Sequence, residues 1–176
     1  MGFIRPGDTV LEIEGGRGWY SDIISGAIGP TGKLWVQYPS EFAYGDAAYK
    51  TRTDAGRLKN ATIIKSHFDD YSAVPDASVD KVIWILGPHE VYFTPPNTQG
   101  LGDPAKAYAE IKRVLKPGGE FIAMDHAAEA GVAPKTSAQT VHRVDPAAGS
   151  PGVRRQDRVI EGGQGEPGVL GGADPA

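Results

Sequence analysis

Ten residues near the start of the chain, Val10-Leu11-Glu12-Ile13-Glu14-Gly15-Gly16-Arg17-Gly18-Trp19, restrict the fold more than any other stretch. Val10, Leu11 and Ile13 read as a short buried strand. Three glycines follow within four residues, and Trp19 to Ala27 carries apolar residues at helical spacing. The pattern is a strand, a tight turn and the start of a helix. Glycines in such a turn permit close backbone approach, and the helix behind them offers unpaired N–H groups to the polar or anionic edge of a ligand. Taken alone, the pattern suits an ordinary tight connection as well as a ligand site. It gains meaning from an open α/β sheet around it.

The remaining chain supplies that alternation. Strands are expected at Thr9 to Ile13, Lys33 to Gln37, Ala61 to Ile64, Lys81 to Leu86 and Glu120 to Met124. Helices are expected at Trp19 to Ala27, as one or two segments between Glu41 and Leu58, and from Asp103-Pro104 through Lys116. Val82-Ile83-Trp84-Ile85-Leu86 shows no polar alternation, which implies burial on both faces and a central parallel position. Repeated strand–helix alternation predicts an α/β, Rossmann-like, mostly parallel doubly wound sheet. Ligands of such sheets bind beyond the carboxyl ends of the strands. Gly87-Pro88-His89 and Asp125-His126 follow two of those ends.

Residues 1–145 are read as one domain. Residues 146–176 hold 8 glycines and 4 prolines with no sustained period, the composition of a disordered or loosely packed tail. The formal net charge of -4 leaves no footprint for a phosphate backbone, so no nucleic-acid partner is expected. No apolar run reaches the about 20 residues needed to cross a bilayer, and no targeting segment is evident, so no membrane association and a cytoplasmic location are expected. Cysteine is absent, which excludes disulfides and thiolate chemistry. The four histidines lack short ligand spacing, so no metal site is expected.

The chain resembles the class I S-adenosylmethionine-dependent methyltransferases. The resemblance rests on the glycine turn Val10 to Gly18, on Val79-Asp80-Lys81-Val82-Ile83-Trp84, and on Arg113-Val114-Leu115-Lys116-Pro117-Gly118-Gly119 ahead of the fifth strand. It covers about residues 4 to 126 and is similar to a bacterial branch of predicted methyltransferases. The resemblance implies S-adenosyl-L-methionine as cofactor and methyl transfer to a small-molecule acceptor. It implies that Glu12 orders the glycine turn through backbone N–H groups, and that Gly15, Gly16 and Gly18 make room for the methionine and ribose portions. Phe68 and Asp69 would contact the adenine, and Gly87, Pro88 and His89 would line the passage to the acceptor.

Several positions depart from the family pattern. Glu14 stands where glycine is common, and Arg17 where a small residue is usual. The carboxylate that holds the ribose hydroxyls is replaced by Gln37 or Tyr38, with Glu41 the nearest acid. A Gln can supply one or two neutral hydrogen bonds there, weaker than a charge-assisted pair. The tail composition suggests a sheet shortened after the fifth strand, without the final antiparallel strands, and an exposed edge at that strand. A homodimer would cover such surfaces.

Methyl transfer from a sulfonium needs a base only when the nucleophile arrives protonated. His89 is the first candidate for that base and His126 the second, with Asp125 a carboxylate able to orient His126 or another donor, or to cap the next segment. His142-Arg143-Val144-Asp145 resembles the start of the family's C-terminal region. The departures also motivate an alternative, a catalytically degenerate cofactor-fold module acting in protein association. A nicotinamide-dependent oxidoreductase carries less weight, because no ribose carboxylate follows the first turn.

Overall fold

The structure, a computed structural model, describes residues 4–141 and the backbone of residues 155–161. Five strands, β1 (Thr9–Ile13), β2 (Lys33–Tyr38), β3 (Ala61–Lys65), β4 (Val79–Ile85) and β5 (Leu115–His126), run parallel. A sixth, β6 (Arg155–Glu161), pairs antiparallel with β5, giving the order β3-β2-β1-β4-β5-β6. Helices α1 (Trp19–Ile28) and α2 (Tyr44–Asp54) connect β1 to β2 and β2 to β3. A 3₁₀ helix (Pro88–Tyr92) and α3 (Pro104–Val114) separate β4 from β5, and α4 (Pro134–Val141) follows β5. No helix among the described residues is long and apolar enough to cross a membrane.

The expected doubly wound α/β sheet is therefore present, and its two-faced burial explains the continuous apolar runs. Val10, Leu34, Val36 and Ile83 pack on one face beneath Ile24 and Ile28 of α1 and Tyr49 of α2. Leu11, Ile13, Trp35, Val82 and Trp84 point to the other face, against Phe68, Tyr71, Leu101, Ile111 and Val114. Adjacent residues of one strand thus serve opposite cores, as the period of two requires. Each fully buried Val, Leu or Ile contributes about 1.5–3 kcal/mol relative to exposure.

The phrase Arg113 to Gly119 has a physical reason. Arg113 donates to the carbonyls of Tyr71 (2.8 Å) and Val74 (3.0 Å) and pairs with Glu110 and Asp76, which fastens the β3–β4 connection to α3. The helix then stops at Val114, two residues before the sequence pattern suggests, and β5 starts at once with Leu115 opposite Val79. Lys116 to Gly119 bulge outward before Glu120 pairs with Lys81. Asp80 holds both ends of this junction, accepting from the Thr9 N–H and from Lys116 Nζ, each at 2.8 Å.

The edge of β5 differs from expectation. It is not open, because β6 from within the 146–176 stretch pairs along it from Glu120 to His126. An edge strand needs main-chain hydrogen bonds more than an apolar period. The run Arg155-Gln156-Asp157-Arg158-Val159-Ile160-Glu161, rich in charge, suits that position. The segment His142 to Asp145 lies outside the described residues.

Candidate functional site

The sheet order reverses between β1 and β4: from β1 the chain proceeds outward to β2 and β3, and from β4 outward to β5. Beyond the carboxyl ends of these two strands lies a cleft of ≈ 230 Å³. Glu14, Gly15, Gly16 and Arg17 line it from the β1 turn, Trp19 and Tyr20 from α1, and Ile85 and Leu86 from β4. Glu14 (φ +56°) and Leu86 (φ +58°) both hold the left-handed backbone conformation at this crevice. Non-glycine residues there carry strain of about 1–3 kcal/mol each, a feature concentrated at functional sites.

Glu12 stands on the β1 side of the cleft and is 4 % exposed. It does not order the turn through backbone N–H groups, as the resemblance implies. Its carboxyl meets the Ser21 hydroxyl at 2.5 Å, Ser21 meets the Tyr49 hydroxyl at 2.8 Å, and Tyr49 donates to the Gly15 carbonyl at 2.8 Å. Ser21 donates to the Glu12 carboxyl, and either hydroxyl can donate across the Ser21–Tyr49 contact. Burial pushes the Glu12 carboxyl up to about 8, with the Ser21 hydrogen bond opposing the shift. A Cβ at Gly15 would overlap the Tyr49 hydroxyl and Val36, so only glycine permits this approach. Ser21 and Tyr49 were not legible as site residues, since nothing in their spacing links them to the turn.

Glu14 reaches across the crevice. Its N–H donates to Gln37 Oε1 at 3.2 Å, and its carboxylate accepts from the Trp84 indole at 3.4 Å. A Cβ at Gly87 would overlap Glu14 Oε2 and the Trp84 ring, so the Glu14 carboxyl rests directly on the second residue after β4. Burial, reinforced by Glu90 and Asp125, raises this carboxyl well above the ordinary range.

Gly87 also opens the 3₁₀ helix that carries His89. Asp125 at the end of β5 accepts from the His89 N–H at 2.6 Å and meets His89 Nδ1 at 2.8 Å. The same carboxylate accepts the His126 N–H at 2.8 Å, and the two imidazoles lie 5.6 Å apart. Asp125 thus orients His89 and sets the start of the following segment. With Asp125 ionised, the proton sits on Nδ1 and Nε2 is the basic nitrogen. Nε2 lies 3.7 Å from Glu90, whose carboxyl is pushed up to about 7 by burial, with His89 opposing the shift and Asp125 adding to it.

The expected nucleoside contacts are placed differently. Gln37 is fully buried, and its amide joins Glu14 to the Ser66 carbonyl at 2.6 Å. Tyr38 is also buried, donates to Asp46 at 2.8 Å and stacks on Tyr49. Phe68 packs in the core beside Trp84, and Asp69 accepts from the Asp103 N–H at 3.2 Å. A strand buried on both faces turns Gln37 and Tyr38 inward, where they support the turn from behind, Gln37 through the Glu14 N–H and Tyr38 through Tyr49. Exposed aromatic surface beside the cleft comes instead from Trp19 and from Tyr44, over which the Arg17 guanidinium lies at 5.8 Å.

The family described as the Methyltransferase domain matches residues 31–123, more than half of the chain, and the chain belongs to that family. The ubiquinone/menaquinone biosynthesis C-methyltransferase UbiE of Ralstonia pickettii is 27% identical over 122 residues, covering 69% of this chain and 44% of that protein. UbiE of Bordetella avium is 25% identical over a stretch of the same length, covering 42% of its own. The chain spans less than half the length of these curated relatives. Among solved structures, a SAM-dependent methyltransferase from Aquifex aeolicus superposes with a TM-score of 0.58 at 26% identity, covering 76% of this chain and 65% of that one. The arsenic(III) S-adenosylmethionine methyltransferase of Chlamydomonas reinhardtii shares the fold, with a TM-score of 0.56 at 23% identity over 78% of this chain and 45% of that one.

The residues present fit the methionine end of S-adenosylmethionine. A Cβ built on Gly16 would meet nothing closer than the Glu14 carbonyl at 3.8 Å, so the turn leaves open space above its backbone. Gly18 caps α1 without a side-chain hydrogen bond, which leaves the first N–H groups of the helix to a ligand.

Proposed function

We propose that the protein is an S-adenosylmethionine-dependent methyltransferase acting, in the cytoplasm, on a small-molecule acceptor. The observation that carries this reading is the cleft between β1 and β4, lined by Gly15 and Gly16, with the His89–Asp125 pair held at the ends of β4 and β5. S-adenosylmethionine supplies an electrophilic methyl on a sulfonium. The chain's own residues do the rest. Gly16 and the amino end of α1 seat the methionine portion, with Gly15 held from behind by Tyr49. Trp19 and Tyr44 offer exposed rings to the nucleoside or to the acceptor.

His89 acts as general base where the acceptor is a hydroxyl or another protonated nucleophile. Nε2 takes the acceptor proton as the new bond to carbon forms, and Asp125 stabilises the resulting imidazolium through Nδ1. Alignment in the cleft provides the remainder of the rate, as displacement at carbon allows. Similarity to the UbiE proteins supports small, ring-bearing acceptors for the first screen.

The test is transfer of labelled methyl from S-adenosylmethionine to a panel of phenols, catechols and quinols, by the full chain and by His89→Ala. Transfer that the variant loses supports the reading. A folded protein that transfers nothing, yet associates with another protein, would instead favour a degenerate binding module.

A further inference from the structure

Resting on the reading that the cleft holds S-adenosylmethionine, we infer that Glu14 is its specificity-determining residue, with its carboxylate facing the sulfonium so that the site prefers the cationic donor to its neutral-sulfur product. The placement is the first support. Glu14 follows β1 in the left-handed conformation, lines the cleft and lays its carboxyl against Gly87, where the ends of β1 and β4 meet. The other cleft carboxyl, Glu12, is engaged by Ser21. Glu14 is therefore the acidic group placed to meet a cation entering this crevice.

The charged and titratable surroundings define what such a cation would do. From its own turn Glu14 has Glu12 and Arg17, the latter directed over the Tyr44 ring of α2. From the 3₁₀ helix it faces Glu90, from the end of β5 Asp125, and from α2 Tyr44. Trp84 of β4 donates to it. Glu90 and Asp125 oppose its ionisation, as burial does. Together they hold the Glu14 carboxyl well above the ordinary carboxylate range.

A sulfonium beside it reverses that balance, since an opposite charge within about 4–6 Å favours the ionised form. Binding of the donor then releases a proton. By linkage, each pKa unit by which the cation lowers Glu14 strengthens donor binding about tenfold at a pH where the ionised form prevails. After transfer the sulfur is neutral, Glu14 recovers its proton, and product departure is favoured.

The experiment is calorimetric titration of the full chain with S-adenosylmethionine and with S-adenosylhomocysteine at pH 7, in buffers of low and high ionisation enthalpy. It is repeated with Glu14→Gln, which keeps an acceptor for Trp84. The wild type should release protons with the donor and none with the product, and should bind the donor about tenfold more tightly. In Glu14→Gln the proton release should vanish and the two affinities converge. The wild-type proton count needs no variant, so a poorly folded variant leaves the test intact. Absence of proton release, equal release with both ligands, or a preference surviving in Glu14→Gln would overturn the assignment. Binding of neither ligand by folded wild type would overturn the cofactor reading itself, a result distinct from these.

Discussion

Tyr49 on α2 donates its hydroxyl proton to the carbonyl of Gly15 at 2.8 Å, so the helix after β2 holds the glycine turn after β1. The contact is buried and lies too far apart in sequence to be a local turn feature. Tyr49→Phe removes it together with the contact to Ser21, leaving the Gly15 carbonyl with only the Gly18 N–H and Ser21 with only Glu12. The expected cost is about 1–3 kcal/mol, read as a fall in thermal midpoint. An unchanged midpoint would show that the contact does not hold the turn.

The protonated Glu12 sets a pH dependence of stability. Its carboxyl rises from the ordinary 4.5 to about 8 in the folded protein, so between those values the folded chain binds the proton and the unfolded chain does not. Stability from this group is full below about 4.5 and declines as pH rises toward 8. Thermal melts of the wild type should fall across that window, and Glu12→Gln, permanently neutral, should flatten the profile. A slope that persists unchanged in the variant would assign the effect to other groups.

Arg113 spends its guanidinium on Tyr71, Val74, Glu110 and Asp76 together. Lysine offers a point charge and three donors on a flexible stem, not a planar fork. Arg113→Lys should therefore destabilise the chain by about 1–3 kcal/mol, measured by denaturant titration, with the loss centred on the β3–β4 connection in hydrogen exchange. Uniform exchange across the sheet would argue against this clamp.

Much of this architecture is legible in the sequence. β1 was expected at its observed limits, and β2, β3 and β4 within two residues of theirs, because runs such as Val10-Leu11 and Val82-Ile83-Trp84 can be buried only inside a sheet. The 3₁₀ helix and α4 went unseen, being short and weakly periodic. The glycine turn places Gly15 and Gly16 in the cleft, and the 3₁₀ helix after β4 carries His89. The burial of Gln37 and Tyr38 was not legible, because a strand buried on both faces does not disclose which face a polar or aromatic residue serves. The relay through Ser21 and Tyr49 depends on three separate elements meeting, and no local pattern encodes that.

Asp125 holds His89 in one tautomer through Nδ1 at 2.8 Å. An asparagine can turn its NH₂ toward that nitrogen and place the imidazole proton on Nε2, where a base is needed. Asp125→Asn should lower kcat for a hydroxyl acceptor by about 10²–10⁴-fold and leave the Kd for S-adenosylmethionine nearly unchanged. A parallel loss of cofactor affinity would make Asp125 a structural support of the cleft instead.

The central claim is that the cleft between β1 and β4 binds the methyl donor on its glycine turn. Titration of S-adenosylmethionine into the wild type and into Gly16→Leu tests it most directly, with thermal melts showing both to be folded. Saturable binding by the wild type that is lost in the variant, whose side chain would fill the open space above residue 16, is the predicted result. Binding that survives the substitution, or no binding by the folded wild type at millimolar ligand, would contradict the account.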